Sequence, residues 1–378
     1  MNKYMRILVT GANGFIGKNL CVELNNKGFA VLPFDTDNSD STLINYINEA
    51  DFIVHLAGIN RPLSADEFYD GNTNFTKKLI YLILQSGRTI PIVFSSTTQA
   101  DLDNDYGKSK KMAEDYLLSF MEEMGNPVII YRLSNAFGKW CRPNYNSVVA
   151  TFCYNIANNL PIEIRDKNYQ VKLVYIDDIV KEFIDCLLNK KFALERKTRE
   201  VLPTHSISLG ELAEKLYRFK ETRDTFYVPN FETDFDRKLY ATFLSYYRTD
   251  DFLYKLRMNI DQRGSFTELL KTCSNGQVSV NVSKPGIIKG NHYHQTKNEK
   301  FIVVRGECEI KFRKIGTKEV FSYFVNGEIM KAVDIPPGYT HSIKNVGTTD
   351  SVTIMWASEL FDKDNPDTYF EEVEKDDK

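Results

Sequence analysis

Cysteine is scarce in this chain of 378 residues, and what there is falls into no pattern. Cys21, Cys141, Cys153, Cys186, Cys273 and Cys308 form no C-x-x-C pair and no dense framework. That argues against a disulfide scaffold or a thiolate zinc cluster and predicts reduced thiols in a cytoplasmic protein. Charge of one sign is also lacking. With 48 basic and 51 acidic residues the net charge is −3, so neither nucleic acid nor an anionic membrane surface is an expected partner. No apolar run approaches the ~20 residues of a membrane span, and no membrane insertion is expected. The opening stretch, MNKYMRILVTGANGFIG, reaches glycine too soon for a signal peptide. What is present suffices for packed cores: 42% hydrophobic and 13% aromatic residues, at a length that predicts two or three domains.

Histidine is scarcer still, at five residues, yet three of them share one pattern. Residues 286–306, GIIKGNHYHQTKNEKFIVVRG, hold His292, His294 and Glu299, and His341 follows in PPGYTHSIKN. Alternate residues of a strand face the same way, so His292 and His294 converge on one point. Glu299 on the next strand and His341 on a returning one would complete a set of three imidazoles and a carboxylate. Those donors suit a first-row divalent metal, with zinc expected. Scattered polar residues on a half-exposed sheet are the plain alternative.

The chain begins differently. MRILVT at 5–10 reads as a strand, Gly11-Ala-Asn-Gly14-Phe-Ile-Gly17 as a turn, and KNLCVELNNKG as a helix. Strand, glycine turn and helix are the setting in which such a loop holds a dinucleotide pyrophosphate. A second strand ends in Asp35, 24 residues after Gly11, where a carboxylate would bond ribose hydroxyls and repel a 2′-phosphate. His55, inside the strand DFIVHLAG, reads as a packed core histidine. Tyr106 and Lys110 are four apart on one helical face. Alternating strands and helices predict an α/β, doubly wound parallel sheet of Rossmann type.

To about residue 220 the chain resembles the extended short-chain dehydrogenase/reductase family. TGANGFIG, DFIVHLAG, Asn72 in GNTNFTKKL, FSST at 94–97, YGKSK, RLSNAFG and YIDD carry the resemblance. It implies that Gly11, Asn13, Gly14, Phe15, Ile16, Gly17, Asp35, Leu56, Ala57 and Gly58 contact the nicotinamide nucleotide, with Tyr106 and Lys110. It implies Tyr106 as proton donor or acceptor, Lys110 as its partner, and Thr97 as the hydroxyl on the substrate carbonyl. A free tyrosine, with its pKa near ~10, is a poor base at neutral pH, and a nearby ammonium lowers it. Thr97 stands where relatives carry serine. Val171 stands where many carry arginine, so a phosphate contact would come from Lys139, Arg142 or Lys172; Asn135 and Arg142 are the expected substrate contacts here. Asp35 favours NADH on charge grounds, whereas the resemblance favours NADPH.

From residue 261 short alternating strands separated by Gly, Pro and Asn predict an all-β barrel. The histidine stretch fits the first cupin motif, and Pro336-x-Gly338…His341…Asn345 fits the second, with Met330 in place of its leading glycine. DQRGSFTE at 261–268 is similar to an element of cupin epimerases acting on nucleotide-linked 4-keto sugars, which implies substrate contacts by Arg263, Phe266 and Glu268. Expected boundaries are 1–232 for the reductase domain, 233–260 for a connector partly helical from about 233, and 261–378 for the cupin.

The whole chain, including the tail FDKDNPDTYFEEV at 361–373, is similar to a family of bifunctional capsular-polysaccharide enzymes. That family epimerises C3 of UDP-2-acetamido-2,6-dideoxy-β-L-arabino-hex-4-ulose. It then reduces C4 to give UDP-2-acetamido-2,6-dideoxy-β-L-talose, toward UDP-N-acetyl-L-fucosamine. A UDP-linked 4-keto-6-deoxy amino sugar, NADPH and a homodimer are thereby implied. His292 matches the base of metal-free relatives, yet a ligating nitrogen cannot take a proton. Lys289, a metal-held hydroxide, or a His292 that releases the metal remain open as the C3 base. The alternative reading is a single-reaction 4-keto-sugar reductase whose cupin is a non-catalytic dimerisation or sugar-binding module.

Overall fold

Six parallel strands form the sheet of the N-terminal half, in the order β2-β1-β3-β4-β5-β8. In the computed structural model, which describes residues 5–189, 198–360, 362, 364 and 366–374, they are β1 (Arg6–Thr10), β2 (Ala30–Phe34), β3 (Phe52–His55), β4 (Ile92–Thr97), β5 (Val128–Leu133) and β8 (Thr198–Arg199). Of the tail motif, Phe361, Lys363 and Asn365 lie outside the described residues. Helices α1 (Phe15–Asn26), α2 (Asp40–Glu49), α3 (Ala65–Phe68), α4 (Phe75–Ser86), α5 (Asp105–Met124) and α7 (Ile176–Asn189) accompany the sheet. One apolar cluster holds Ile7, Val9, Leu20, Val54, Tyr131 and Phe183, and another holds Leu8, Ile53, Leu79, Ile92, Leu117 and Ile130. Neighbouring strand residues fall in different clusters because alternate side chains face opposite sides of the sheet. The strand order reverses between β1 and β3, which opens a crevice at their carboxyl ends. Thr10, His55 and Thr97 stand at those ends.

A small sheet of β6 (Asn135–Phe137), β7 (Gln170–Tyr175) and β9 (Thr204–Ser208) completes this half with α6 (Val148–Ala157), α8 (Leu209–Thr225) and α9 (Asp234–Leu244). The two sheets of the C-terminal half are antiparallel. One sheet runs β10 (Met258–Asp261), β11 (Gly264–Lys271), β12 (Gln277–Ser283), β19 (Ser351–Ala357), β14 (Glu299–Arg305) and β17 (Ala332–Ile335). The other runs β16 (Val320–Asn326), β15 (Glu307–Lys314), β18 (Tyr339–Asn345), β13 (Ile288–Tyr293) and β20 (Tyr369–Phe370). Phe301, Val303, Ile310, Phe312, Ile335 and Ile343 from both sheets form its core.

The structure divides the chain elsewhere than the expected 1–232, 233–260 and 261–378. One unit is Met1–Tyr217 with Thr233–Arg248, the other Arg218–Glu232 with Thr249–Lys378. The reason is bonding rather than composition. Phe226 O accepts the Lys271 N–H and Lys271 O accepts the Val228 N–H, both at 2.7 Å, which ties 226–228 to β11. The helix expected from about 233 is α9. It opens with a Thr233–Asp236 capping box, and its Lys238 pairs with Asp178 at 2.7 Å, which ties it to α7. The six cysteines are all free, and among the described residues no helix is long and apolar enough to cross a membrane.

Candidate active site and metal centre

The glycine loop is built as its spacing predicts. Gly11 has φ +71°, and a Cβ on Gly17 would lie 2.1 Å from Gly11 O, so helix α1 packs against the turn only without side chains. No side chain caps α1 and no acidic residue occupies its first turn. Its amino end, opened by Phe15, Ile16 and Gly17, therefore offers N–H groups and a positive dipole end to a pyrophosphate. Asp35 follows β2. Its Oδ2 accepts the Asn13 N–H at 2.7 Å and its Oδ1 the Thr36 N–H at 2.8 Å, so the carboxylate also closes the loop that carries Gly14.

Leu56, Ala57 and Gly58 follow β3 and are held by a hydrogen-bond chain centred on His55. Thr76 Oγ1 donates to Asn72 O at 2.7 Å, so it must accept from His55 Nε2 at 2.9 Å. Nδ1 is then the acceptor, for the Thr10 hydroxyl at 2.8 Å, and Thr10 Oγ1 accepts the Ala57 N–H at 3.3 Å. Burial, with Lys110 acting in the same direction, lowers His55 to about 3, so the ring stays neutral. The expectation of a packed core histidine is met, but the ring is also a strut. Asn72 sits in a π-helical turn, Tyr69–Asn74, which the sequence did not announce. Its amide bonds Ile59 N and O at 2.9 and 3.0 Å and Ser109 Oγ at 2.9 Å, joining the β3 loop to α5.

Thr97, Tyr106 and Lys110 meet at the end of β4 and the start of α5. Burial raises the Tyr106 phenol, while the Thr97 hydroxyl that bonds it pulls the other way. Lys110 is buried, with Nζ 2.7 Å from Ser95 O and 4.5 Å from the Phe94 ring centroid. Burial lowers it to about 8, against the pull of Glu114. The ammonium is turned to Ser95, and burial leaves the phenol protonated at neutral pH. Below them lies a cluster that sequence reasoning missed. Glu114, fully buried, accepts from Ser96 Oγ at 2.5 Å and from Arg132 Nε and Nη2 at 2.9 and 2.7 Å. Its position four residues after Lys110 was the available signal.

A cavity of about 210 Å³ beside the small sheet is lined by Asn135, Ser147, Tyr169, Val171, Leu173 and Leu209 among others. Of the cations offered for a phosphate, Lys139 pairs with Asp177 at 2.5 Å and Lys172 with Glu200 at 2.9 Å. Arg142 instead lies over the Tyr145 ring at 5.1 Å, and Arg61 lies over the same ring at 5.9 Å.

In the C-terminal unit His292, His294, Glu299 and His341 come together, with one donor atom from each within 4.8 Å of the others. Register explains this. His292 lies opposite His341 across β13 and β18, and a bulge at Gly290–Asn291 turns Lys289 and His292 to the same face. Glu299 Oε2 is 3.3 Å from both His294 Nε2 and His341 Nε2, with no hydrogen bond to either. Those three atoms and His341 Nδ1 are buried without a hydrogen-bond partner. Each such atom costs about 1–3 kcal/mol, and the convergence of His294 Nε2, Glu299 Oε2 and one His341 nitrogen is what a divalent cation would satisfy. His294 Nδ1 donates to the Asp367 carbonyl, which leaves the Nε2 lone pair facing the cluster. Burial, His341 and His294 lower His292 to about 4, so it is a neutral donor. The residues fit the metal that the motif implies.

Lys289 shares that face, and its Nζ donates to Asn281 Oδ1 at 2.6 Å and Val282 O at 3.0 Å. Phe266 lies opposite Asn281 and Glu268 opposite Ser279 in the β11–β12 register. Arg263 is exposed and paired with Asp261 at 2.6 Å, and Glu268 is paired with Lys271 at 2.8 Å. Phe266, Asn281 and Lys289 are thus brought together, whereas Arg263 and Glu268 are held in local ion pairs. Asn281 and Asp367 carried no sequence signal; Asp367 stands 73 residues from His294.

Residues 7–199 match the NAD dependent epimerase/dehydratase family, and residues 259–369 match the polysaccharide biosynthesis C-terminal domain. The UDP-2-acetamido-2,6-beta-L-arabino-hexul-4-ose reductase of Pseudomonas aeruginosa is 45% identical over 366 residues, 97% of this chain and 98% of the relative. The crystal structure of CapF, a capsular polysaccharide assembling protein of Staphylococcus aureus, is 46% identical, with a TM-score of 0.91 over 98% of this chain and 100% of that one. The chain belongs to the CapF family. The dTDP-4-dehydro-6-deoxyglucose reductase of Escherichia coli is 27% identical over 224 residues, 47% of this chain and 71% of that enzyme. As a CapF-family member with an NAD dependent epimerase/dehydratase half, the protein is an NAD(P)-dependent sugar oxidoreductase of capsular-type polysaccharide biosynthesis.

Proposed function

We propose that the protein is bifunctional. Its C-terminal cupin epimerises C3 of UDP-2-acetamido-2,6-dideoxy-β-L-arabino-hex-4-ulose. Its N-terminal unit then reduces C4 with NADPH to give UDP-2-acetamido-2,6-dideoxy-β-L-talose, toward UDP-N-acetyl-L-fucosamine. The observation that carries this reading is one chain holding both the Thr97–Tyr106–Lys110 site and a converged, buried His3Glu donor set. The order of steps follows from chemistry. The C3 proton is acidic only while C4 is a ketone, so epimerisation precedes reduction.

In the reduction Thr97 holds the C4 oxygen and Tyr106 gives it a proton as hydride arrives at C4. Lys110, one helical turn on, would bond the nicotinamide ribose. Tyr169 and Asn135 line the neighbouring cavity, which suits the sugar nucleotide. In the cupin, His292, His294, Glu299 and His341 would hold zinc, which when bound would polarise the C4 carbonyl. Lys289 then serves as the proton-transfer group at C3, because His292 is committed to the donor set. Burial lowers its pKa, which favours that role. Both Asp35 oxygens accept backbone N–H groups, from Asn13 and Thr36, which tempers their repulsion of a 2′-phosphate and supports acceptance of NADPH; a large preference for NADH in steady-state rates would overturn that choice. A homodimer belongs to the same reading, and β16, an edge strand with Phe321, Tyr323 and Phe324 exposed, suits it; a monomer in sedimentation would exclude it.

The test is incubation of the full-length protein with the ketosugar in deuterated water, followed by NMR. Deuterium should enter C3 without NADPH, and the talose product should form once NADPH is added. Reduction at C4 with the C3 proton retained would leave only a single-reaction reductase.

A further inference from the structure

Residues 366–374 close the described part of the chain, and their bonds converge on the supports of the His3Glu cluster. The Asp367 carbonyl accepts from His294 Nδ1. The Asp367 carboxylate accepts the N–H groups of Gln295, Thr296 and Lys297 at 2.9, 2.8 and 2.8 Å and the Thr296 hydroxyl at 3.0 Å. It therefore holds in place the turn that follows His294. Tyr369 and Phe370 pair with Tyr293 and His292. Glu371 N–H donates to Asn291 O at 2.9 Å and Val373 N–H to Asn291 Oδ1 at 3.3 Å. Asn291 is the bulge residue, at φ 58°, that turns His292 inward.

The segment is anchored from inside. Arg313 is 2% exposed and donates to Val373 O at 2.9 Å, Glu372 O at 2.8 Å and Glu371 Oε1 at 2.7 Å. A guanidinium buried this far is tolerated only when its donors are met, and the tail meets most of them. Thr317 O takes the remaining bond recorded for it, at 3.1 Å.

We propose that residues 366–374 are a clasp for the metal centre. Asp367 is the positioning residue that fixes the tautomer and aim of His294, and Arg313 is the anchor that keeps Asp367 there. The inference rests on the reading that the His3Glu cluster binds a divalent metal. Loss of a group that holds the outer nitrogen of a ligating histidine changes metal affinity about 10–100-fold.

The experiment uses the full chain as wild type, Asp367→Ala, Asp367→Asn and Arg313→Lys. Zinc affinity is read by competition with a chromophoric chelator, and thermal unfolding is followed with and without zinc. Asp367→Ala should weaken zinc binding about 10–100-fold, with Asp367→Asn between it and wild type. Loss of the four carboxylate hydrogen bonds should lower its metal-free unfolding temperature, and the further rise given by zinc should shrink as well. NADPH binding should not change. Arg313→Lys, which keeps the charge but loses the fork, should weaken zinc binding in the same direction. If Asp367→Ala does not fold, Asp367→Asn and Arg313→Lys carry the comparison. Wild-type zinc affinity in the folded variants would overturn the clasp while leaving the metal reading intact. Failure of wild type to take up zinc would overturn both.

Discussion

His55 has one workable arrangement of protons, because each hydroxyl beside it has a second partner that fixes its direction. His55→Leu keeps the volume but leaves the Thr10 and Thr76 hydroxyls buried with a partner missing. Urea unfolding should show a loss of about 1–3 kcal/mol, and the KM for the nicotinamide nucleotide should rise because Ala57 is no longer braced. On the proposed mechanism Tyr106→Phe removes only the proton donor: kcat for reduction should fall about 10²–10⁴-fold while nucleotide binding, followed by fluorescence, is kept. Lys110 governs a pH effect. Its folded-state pKa, about 8, lies below its ordinary value of 10.5. Between those values the unfolded chain binds more protons, so stability rises with pH there. Lys110→Met should abolish that rise in unfolding curves taken across the window. At this scale the Tyr106–Lys110 spacing and the His292-x-His294 pair were legible, since each spacing puts its members on one face; Glu299 and His341 reach the cluster through the pairing of separate strands. The partners of His55 and Asp367 were not, since they come from distant strands whose pairing no local pattern encodes.

The bulge in β13 decides the cupin pocket at the scale of the element. Lys289 and His292 are three apart, and in an unbroken strand they would face opposite ways. The extra residue brings them to one face. Gly290 permits it, with φ +99° and a would-be Cβ 2.8 Å from His341 O. Gly290→Ala should therefore destabilise the C-terminal unit by roughly 1–3 kcal/mol and reduce zinc uptake, measured by calorimetry and by metal analysis of the purified protein. Periodicity located the strands here but missed the irregularity, because a bulge is one residue of mismatch within a correct pattern. The π-helical turn that carries Asn72 escaped notice for the same reason.

For the whole molecule, composition marked the change from parallel to antiparallel architecture near residue 261, and the sheets agree. It did not reveal that 218–232 belongs with the C-terminal unit and 233–248 with the N-terminal one. That assignment depends on long-range contacts: Phe226 and Val228 with Lys271, and Lys238 with Asp178. A chain ended at residue 260 would strip the partner strand from the buried Phe226. It should bind a hydrophobic dye and melt below the N-terminal transition of the full protein, as scanning calorimetry would show. The polypeptide passes between its units three times, not once. No single genetic crossover can then exchange one unit and leave the other whole, since a stretch of each would be inherited with its neighbour.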